Sequence, residues 1–82
     1  MNHDPIHLVT GGDLRFLAGI QVTVGSALIG IPEDRSVIVH ILDGGLDKVA
    51  RKNLQALARR CHQDVELVFH LCLLYTSDAA DD

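Results

Sequence analysis

Apolar and polar residues divide this chain into five alternating stretches. Residues 6–10 (IHLVT) form a short apolar run rich in β-branched side chains, and Gly11-Gly12 follow it. This pattern predicts a strand closed by a tight turn. Asp13 stands where it can accept amide hydrogens from the first turn of a helix. Leu17, Ile20, Val24, Ala27 and Leu28 then recur at helical spacing until Gly30 and Pro32 stop the run. Gly19, Val22, Thr23 and Gly25 lower the helix propensity of that stretch. Residues 36–42 (SVIVHIL) are the clearest strand, apolar on both alternating faces, and end at Asp43-Gly44-Gly45. Asp47 is placed to cap a second helix, whose apolar stripe is Ala50, Leu54, Leu57, Ala58 and Cys61. Lys48, Arg51, Lys52, Arg59 and Gln63 occupy the opposite face, and residues 65–69 (VELVF) read as a third strand.

The order is β-α-β-α-β, which predicts an α/β fold whose three parallel strands are joined by helical crossovers. Crossovers of one hand running in one direction place both helices on the same face of the sheet. In the central strand Val37, Val39 and Ile41 point one way, and Ile38, His40 and Leu42 the other. Strands apolar on both faces belong to sheets covered on both sides, and nothing further along the chain supplies the second cover. The pattern therefore predicts a Rossmann-like half of a larger domain.

The chain has 82 residues, which allows one small unit that buries only roughly 60–65% of the surface of its unfolded form. Seven basic against eleven acidic residues argue against a nucleic-acid footprint and against a polybasic membrane patch. Asp78, Asp81 and Asp82 carry most of the net charge of −4. Two cysteines, Cys61 and Cys72, are too few for a disulfide scaffold. Residues 16–31 are uncharged but shorter than the roughly 20 residues that a membrane span requires. No targeting segment is recognised, so the expected location is cytoplasmic, with no membrane span.

Candidate chemistry concentrates at the turn after the first strand. Ligands of open parallel sheets bind beyond the carboxyl ends of the strands, where βα turns expose backbone amides. Gly11 and Gly12 would allow close approach of a ligand, and Asp13 could accept hydrogen bonds from a ribose hydroxyl or a base N–H. Helix capping and chain turning explain the same residues without a ligand. Phe16 could stack on a nucleobase, although residue type alone favours the core. Asp43 at the end of the second strand reads as turn chemistry. His3, His7, His40, His62 and His70 are scattered without metal-ligand spacing, and His7 and His40 read as satisfied core or edge histidines. Neither a dinucleotide fingerprint nor a phosphate loop is present.

The run IHLVTGGDLRFLAGIQVTVGSAL, followed by VHILDGGLDK, resembles the N-terminal βαβαβ unit of glycosyltransferase family 8 over about residues 5–70. Gly11, Asp13, Phe16 and Ser26 stand at positions of that family's opening strand and helix. His40, Leu42, Asp43, Gly45 and Asp47 match its second strand and turn. The resemblance implies a GT-A fold and transfer of a hexose from a UDP-sugar to a saccharide or other acceptor, with retention of configuration. It implies that Asp13 bonds the uracil, that Phe16 stacks on it where the family usually has Tyr, and that Gly11 and Gly12 line the pocket. Arg15, also counted in the donor site, departs from the small polar residue common there.

The family's Asp-x-Asp, which holds Mn²⁺ or Mg²⁺, lies beyond the third strand, and no Asp-x-Asp occurs in this sequence. The resemblance thus makes residues 1–71 the nucleotide-binding half of a truncated glycosyltransferase domain, inactive by itself. Residues 72–82 (CLLYTSDAADD) look like a translated sequencing adaptor. The same pattern also admits a non-catalytic α/β nucleotide-sensing or receiver-like module, or a fragment that folds poorly. Glycines 11 and 12 followed by Asp13 supply only one of the two acids that a receiver turn would need.

Overall fold

The structure, a computed structural model, describes residues 4–72. The expected alternation is present: strand β1 (Ile6–Gly12), helix α1 (Leu17–Ile29), strand β2 (Val37–Asp43), helix α2 (Lys48–Cys61) and strand β3 (Val65–Leu71). A short 3-10 turn, Leu14–Phe16, joins β1 to α1. All strands are parallel in the order β1-β2-β3, giving an α/β fold with a three-stranded βαβαβ sheet. Apart from Cys72, the adaptor-like run lies outside the described residues, as does His3.

Strand β1 is longer than the sequence pattern suggests. Gly11 and Gly12 do not turn the chain; they pair with Leu42 and Asp43 and carry the ladder to the rim. Glycine is required at Gly11 by proximity, since a Cβ there would lie 2.7 Å from Leu42 Cβ and 2.8 Å from the Leu42 carbonyl oxygen. At Gly12 the reason is conformation, a φ of +153° that L side chains rarely adopt. β3 also continues two residues past Phe69, because His70 and Leu71 pair with Leu42 and Asp43.

Both helices lie on one face of the sheet. Ile20, Val24 and Leu28 of α1 and Ala50, Leu54 and Ala58 of α2 close over Val37, Val39 and Ile41, joined by Leu46 from the β2–α2 loop. Leu28, Ile41 and Leu54 have no exposed surface at all. Burying one such side chain contributes roughly 1.5–3 kcal/mol. The α2 stripe is largely as its spacing predicts, with Leu57 and Cys61 half-buried at its border. Asp47 caps this helix, its carboxylate accepting from the Ala50 amide at 2.8 Å. At the other end the buried His62 donates its backbone N–H to the Ala58 carbonyl, and its Nε2 lies 2.7 Å from the Arg35 carbonyl oxygen.

The opposite sheet face carries no second layer among the described residues. Val9 is 67% exposed and Leu42 48%, whereas Val39 and Ile41 on the helix side are at most 1% exposed. No helix among the described residues is long and apolar enough to cross a membrane.

Candidate functional site at the carboxyl rim

The three strands end together in register, Gly12 beside Asp43 and Asp43 beside Leu71. Two backbone hydrogen bonds tie this rim across the strand ends. The Gly44 N–H donates to the Gly12 carbonyl, and the Cys72 N–H to the Asp43 carbonyl, each at 2.9 Å. Above them lies an open hollow of about 360 Å³, lined by Gly11, Gly12, Leu42, Gly44 and Cys72. Three of its five lining residues are glycines, because β1 ends in Gly11-Gly12 and Gly44 follows β2.

Asp13, Arg15 and Phe16 form a second group just past Gly12. Asp13 was expected to cap the long helix; it caps the 3-10 turn instead, accepting from the Arg15 amide at 2.9 Å. Helix α1 starts four residues further on, behind Phe16, with no side-chain cap. The two glycines already spend themselves in the ladder, so the chain needs this extra turn before it can enter the helix.

The Arg15 guanidinium folds back onto the same carboxylate. Its Nε lies 3.3 Å from Oδ1 and 3.2 Å from Oδ2 of Asp13, and one terminal nitrogen lies 2.8 Å from Oδ2. Hydrogen bonding from the Arg15 side chain is the main reason that the Asp13 carboxyl titrates below its ordinary value of 3.8. Arg15 also lies over the Phe16 ring, with its guanidinium carbon 5.6 Å from the ring centroid, within cation–π range.

Phe16 does not join the core, contrary to what its residue type alone favours. It is 59% exposed, because the 3-10 turn places it at the rim before α1 begins to bury its apolar side. Its Cβ stands 3.4 Å from where a Gly12 side chain would begin. The rim thus brings all five predicted residues together in two adjoining parts. Gly11 and Gly12 line the hollow, while Asp13, Arg15 and Phe16 form a carboxylate, guanidinium and aromatic stack beside it.

Asp43 serves the fold. It is 2% exposed, and one carboxylate oxygen accepts from the Gly45 amide at 2.9 Å and the Leu46 amide at 2.6 Å. Those bonds hold the loop that inserts Leu46 into the core, which is the turn role its Asp-Gly context predicts.

Three residues that looked scattered along the sequence converge elsewhere. His7, His40 and His70 lie on the uncovered sheet face and bond to one another. They are the second residue of β1, the fourth of β2 and the sixth of β3, a shared face that emerges only once the strand bounds and register are known.

No cluster of three or more His, Cys, Asp or Glu among the described residues could hold a metal ion. The fold and rim define a class, an α/β chain with a parallel βαβαβ sheet and a polar, aromatic carboxyl rim. No protein-family profile, curated protein or solved structure matches the chain.

Proposed function

We propose that the chain is the nucleotide-binding half of a glycosyltransferase that takes a hexose from a UDP-sugar and passes it, with retention, to a saccharide or other acceptor. The reading rests on the resemblance to glycosyltransferase family 8. The observation that carries it is the exposed Phe16 ring beside Gly12 and Asp13, at the rim where open parallel sheets take ligands.

In this reading the uracil lies on the face of Phe16. The Asp13 carboxylate accepts an N–H of the base through lone pairs that Arg15 leaves open, since a carboxylate offers about four acceptor sites. Arg15 keeps Asp13 ionised and oriented. The hollow takes the ribose side of the nucleotide, because Gly11, Gly12 and Gly44 put no side chain into it. The Mn²⁺ or Mg²⁺ that neutralises a leaving diphosphate belongs to an Asp-x-Asp that this sequence does not contain. The residues here bind and orient the donor base, and no transfer step is assigned to them.

Calorimetric titration of the full chain with UDP and with ADP tests the proposal. UDP is expected to bind in preference to ADP. Replacing Phe16 by Ala should weaken that binding about tenfold, given that stacking of a base on an aromatic ring is worth about 1–3 kcal/mol. Equal binding of both nucleotides would favour the nucleotide-sensing module. Absence of UDP binding would overturn the UDP-sugar reading, and absence of binding by either nucleotide would count against both.

A further inference from the structure

The uncovered face of the sheet carries one histidine from each strand. His7 lies opposite Ile38 and His70 opposite Leu42, so with His40 the three climb a single diagonal across β1, β2 and β3. Nδ1 of His7 is 2.9 Å from Nε2 of His40, and Nδ1 of His40 is 2.9 Å from Nε2 of His70. The rings meet edge to edge and nearly parallel in pairs, with centroids 5.2 and 5.1 Å apart and interplanar angles of 17° and 28°, so each ring nitrogen points along its ring plane at the next.

Counting hydrogens limits what this ladder can hold. Each contact joins two ring nitrogens, so it is a hydrogen bond only when one carries a hydrogen and the other a lone pair. The two contacts together hold two hydrogens. The outer nitrogens, Nε2 of His7 and Nδ1 of His70, can each hold one more. Three neutral imidazoles bring three hydrogens, leaving one outer nitrogen bare. One added proton fills it, and both contacts survive. The charge can then sit on any of the three rings, because moving a hydrogen within a contact passes it along. A second added proton sets two N–H groups against each other in one contact, which must open.

From this geometry we propose that His7, His40 and His70 form a proton-gated clasp. It holds the three strands together across the open face with no excess proton or one, and parts when a second arrives. Histidine is the side chain whose ordinary titration falls in the physiological range, which makes a ladder of three an element that protons can act on. On this face the ladder is accompanied by Val9, Ile38, Leu42, Val68 and one charged group of β3, Glu66. Asp64, just before β3, is engaged by the Ser36 hydroxyl at 2.5 Å. Helices α1 and α2 pack on the other face and present no group to the ladder. His40 turns its two nitrogens toward opposite neighbours, so the three rings do not aim lone pairs at one point. The clasp is independent of the nucleotide reading, since it uses no rim residue.

Long-range ¹H–¹⁵N spectra of the imidazole nitrogens, recorded on the full chain from pH 8 to pH 4, test the clasp. All three rings should shift together in a first step. A second step should follow at least about one pH unit lower, as coupled sites require, and the tautomer signals of at least one contact should be lost there. Replacing His40 by Phe keeps a ring in the middle but removes its nitrogens, so His7 and His70 should each titrate in one simple step. His40→Gln serves as a second variant with the same expectation. Three independent curves in the native chain, as in an unfolded one, would overturn the clasp. So would curves for His7 and His70 that are unchanged in both variants. Equimolar Zn²⁺ that shifts all three rings at neutral pH would replace the proton site by a metal site.

Discussion

Arg15 and Asp13 show how one pair can serve both fold and chemistry. The carboxylate caps the 3-10 turn and accepts the guanidinium through both oxygens, while Arg15 itself spreads over Phe16. Because Arg15 lowers the Asp13 titration, the ionised carboxylate stabilises the folded chain above the ordinary carboxylate value. That contribution is lost as pH falls through the lowered folded value. Replacing Arg15 by Ala should raise the Asp13 midpoint toward 3.8 and narrow the difference in stability between neutral pH and about pH 3, as followed by carboxyl-carbon NMR and urea unfolding. Gly11 is a different case, since its constraint comes from strand β2. Gly11→Ala drives a methyl group into Leu42 and should cost about 1–3 kcal/mol, read as a lower urea midpoint with unchanged slope. The sequence marks Gly11 as a glycine of interest, but the partner that demands it lies 31 positions away and is set by strand pairing.

Among the elements, the two helices differ in how plainly the sequence announces them. In α2 the apolar stripe, the Asp47 cap and the terminal Arg59 and Arg60 all agree, and its start at Lys48 follows directly from the cap. Asp47→Ala leaves the Ala50 amide without its partner and should cost about 1 kcal/mol of thermal or urea stability. In α1 apolar residues surround the axis, with Val22 67% and Ile29 71% exposed, so its spacing shows a helix without showing clearly which side is buried. Its start was equally obscure. A carboxylate after two glycines reads as a helix cap, yet the ladder to β2 uses those glycines and leaves room for a 3-10 turn first. This displacement carries Phe16 out to the rim, and with it the aromatic part of the candidate site.

At the scale of the whole molecule, the sheet is asymmetric. One face is closed by both helices, and the other exposes Val9 and Leu42 and carries the histidine ladder. A charge placed on each face should behave oppositely. Val39→Asp buries an unpaired carboxylate against α1 and α2 and should abolish cooperative unfolding. Val9→Asp, on a residue 67% exposed and beside His40, should leave unfolding cooperative and cost far less than Val39→Asp. Circular dichroism during urea titration distinguishes the two, and equal losses would mean that the open face is covered in solution.

Hydrophobic period and turn chemistry determined the alternation of strands and helices, the parallel order, the α2 cap and most of the core from the sequence alone. These features are local, or follow from which elements can bury their apolar sides together. Tertiary structure decided what depends on register. It placed Gly11 against Leu42, turned Asp13 onto Arg15, exposed Phe16 and brought His7, His40 and His70 onto one diagonal. A strand's period of two tells which face a side chain occupies. Only the pairing of one strand with the next tells which neighbour it meets there.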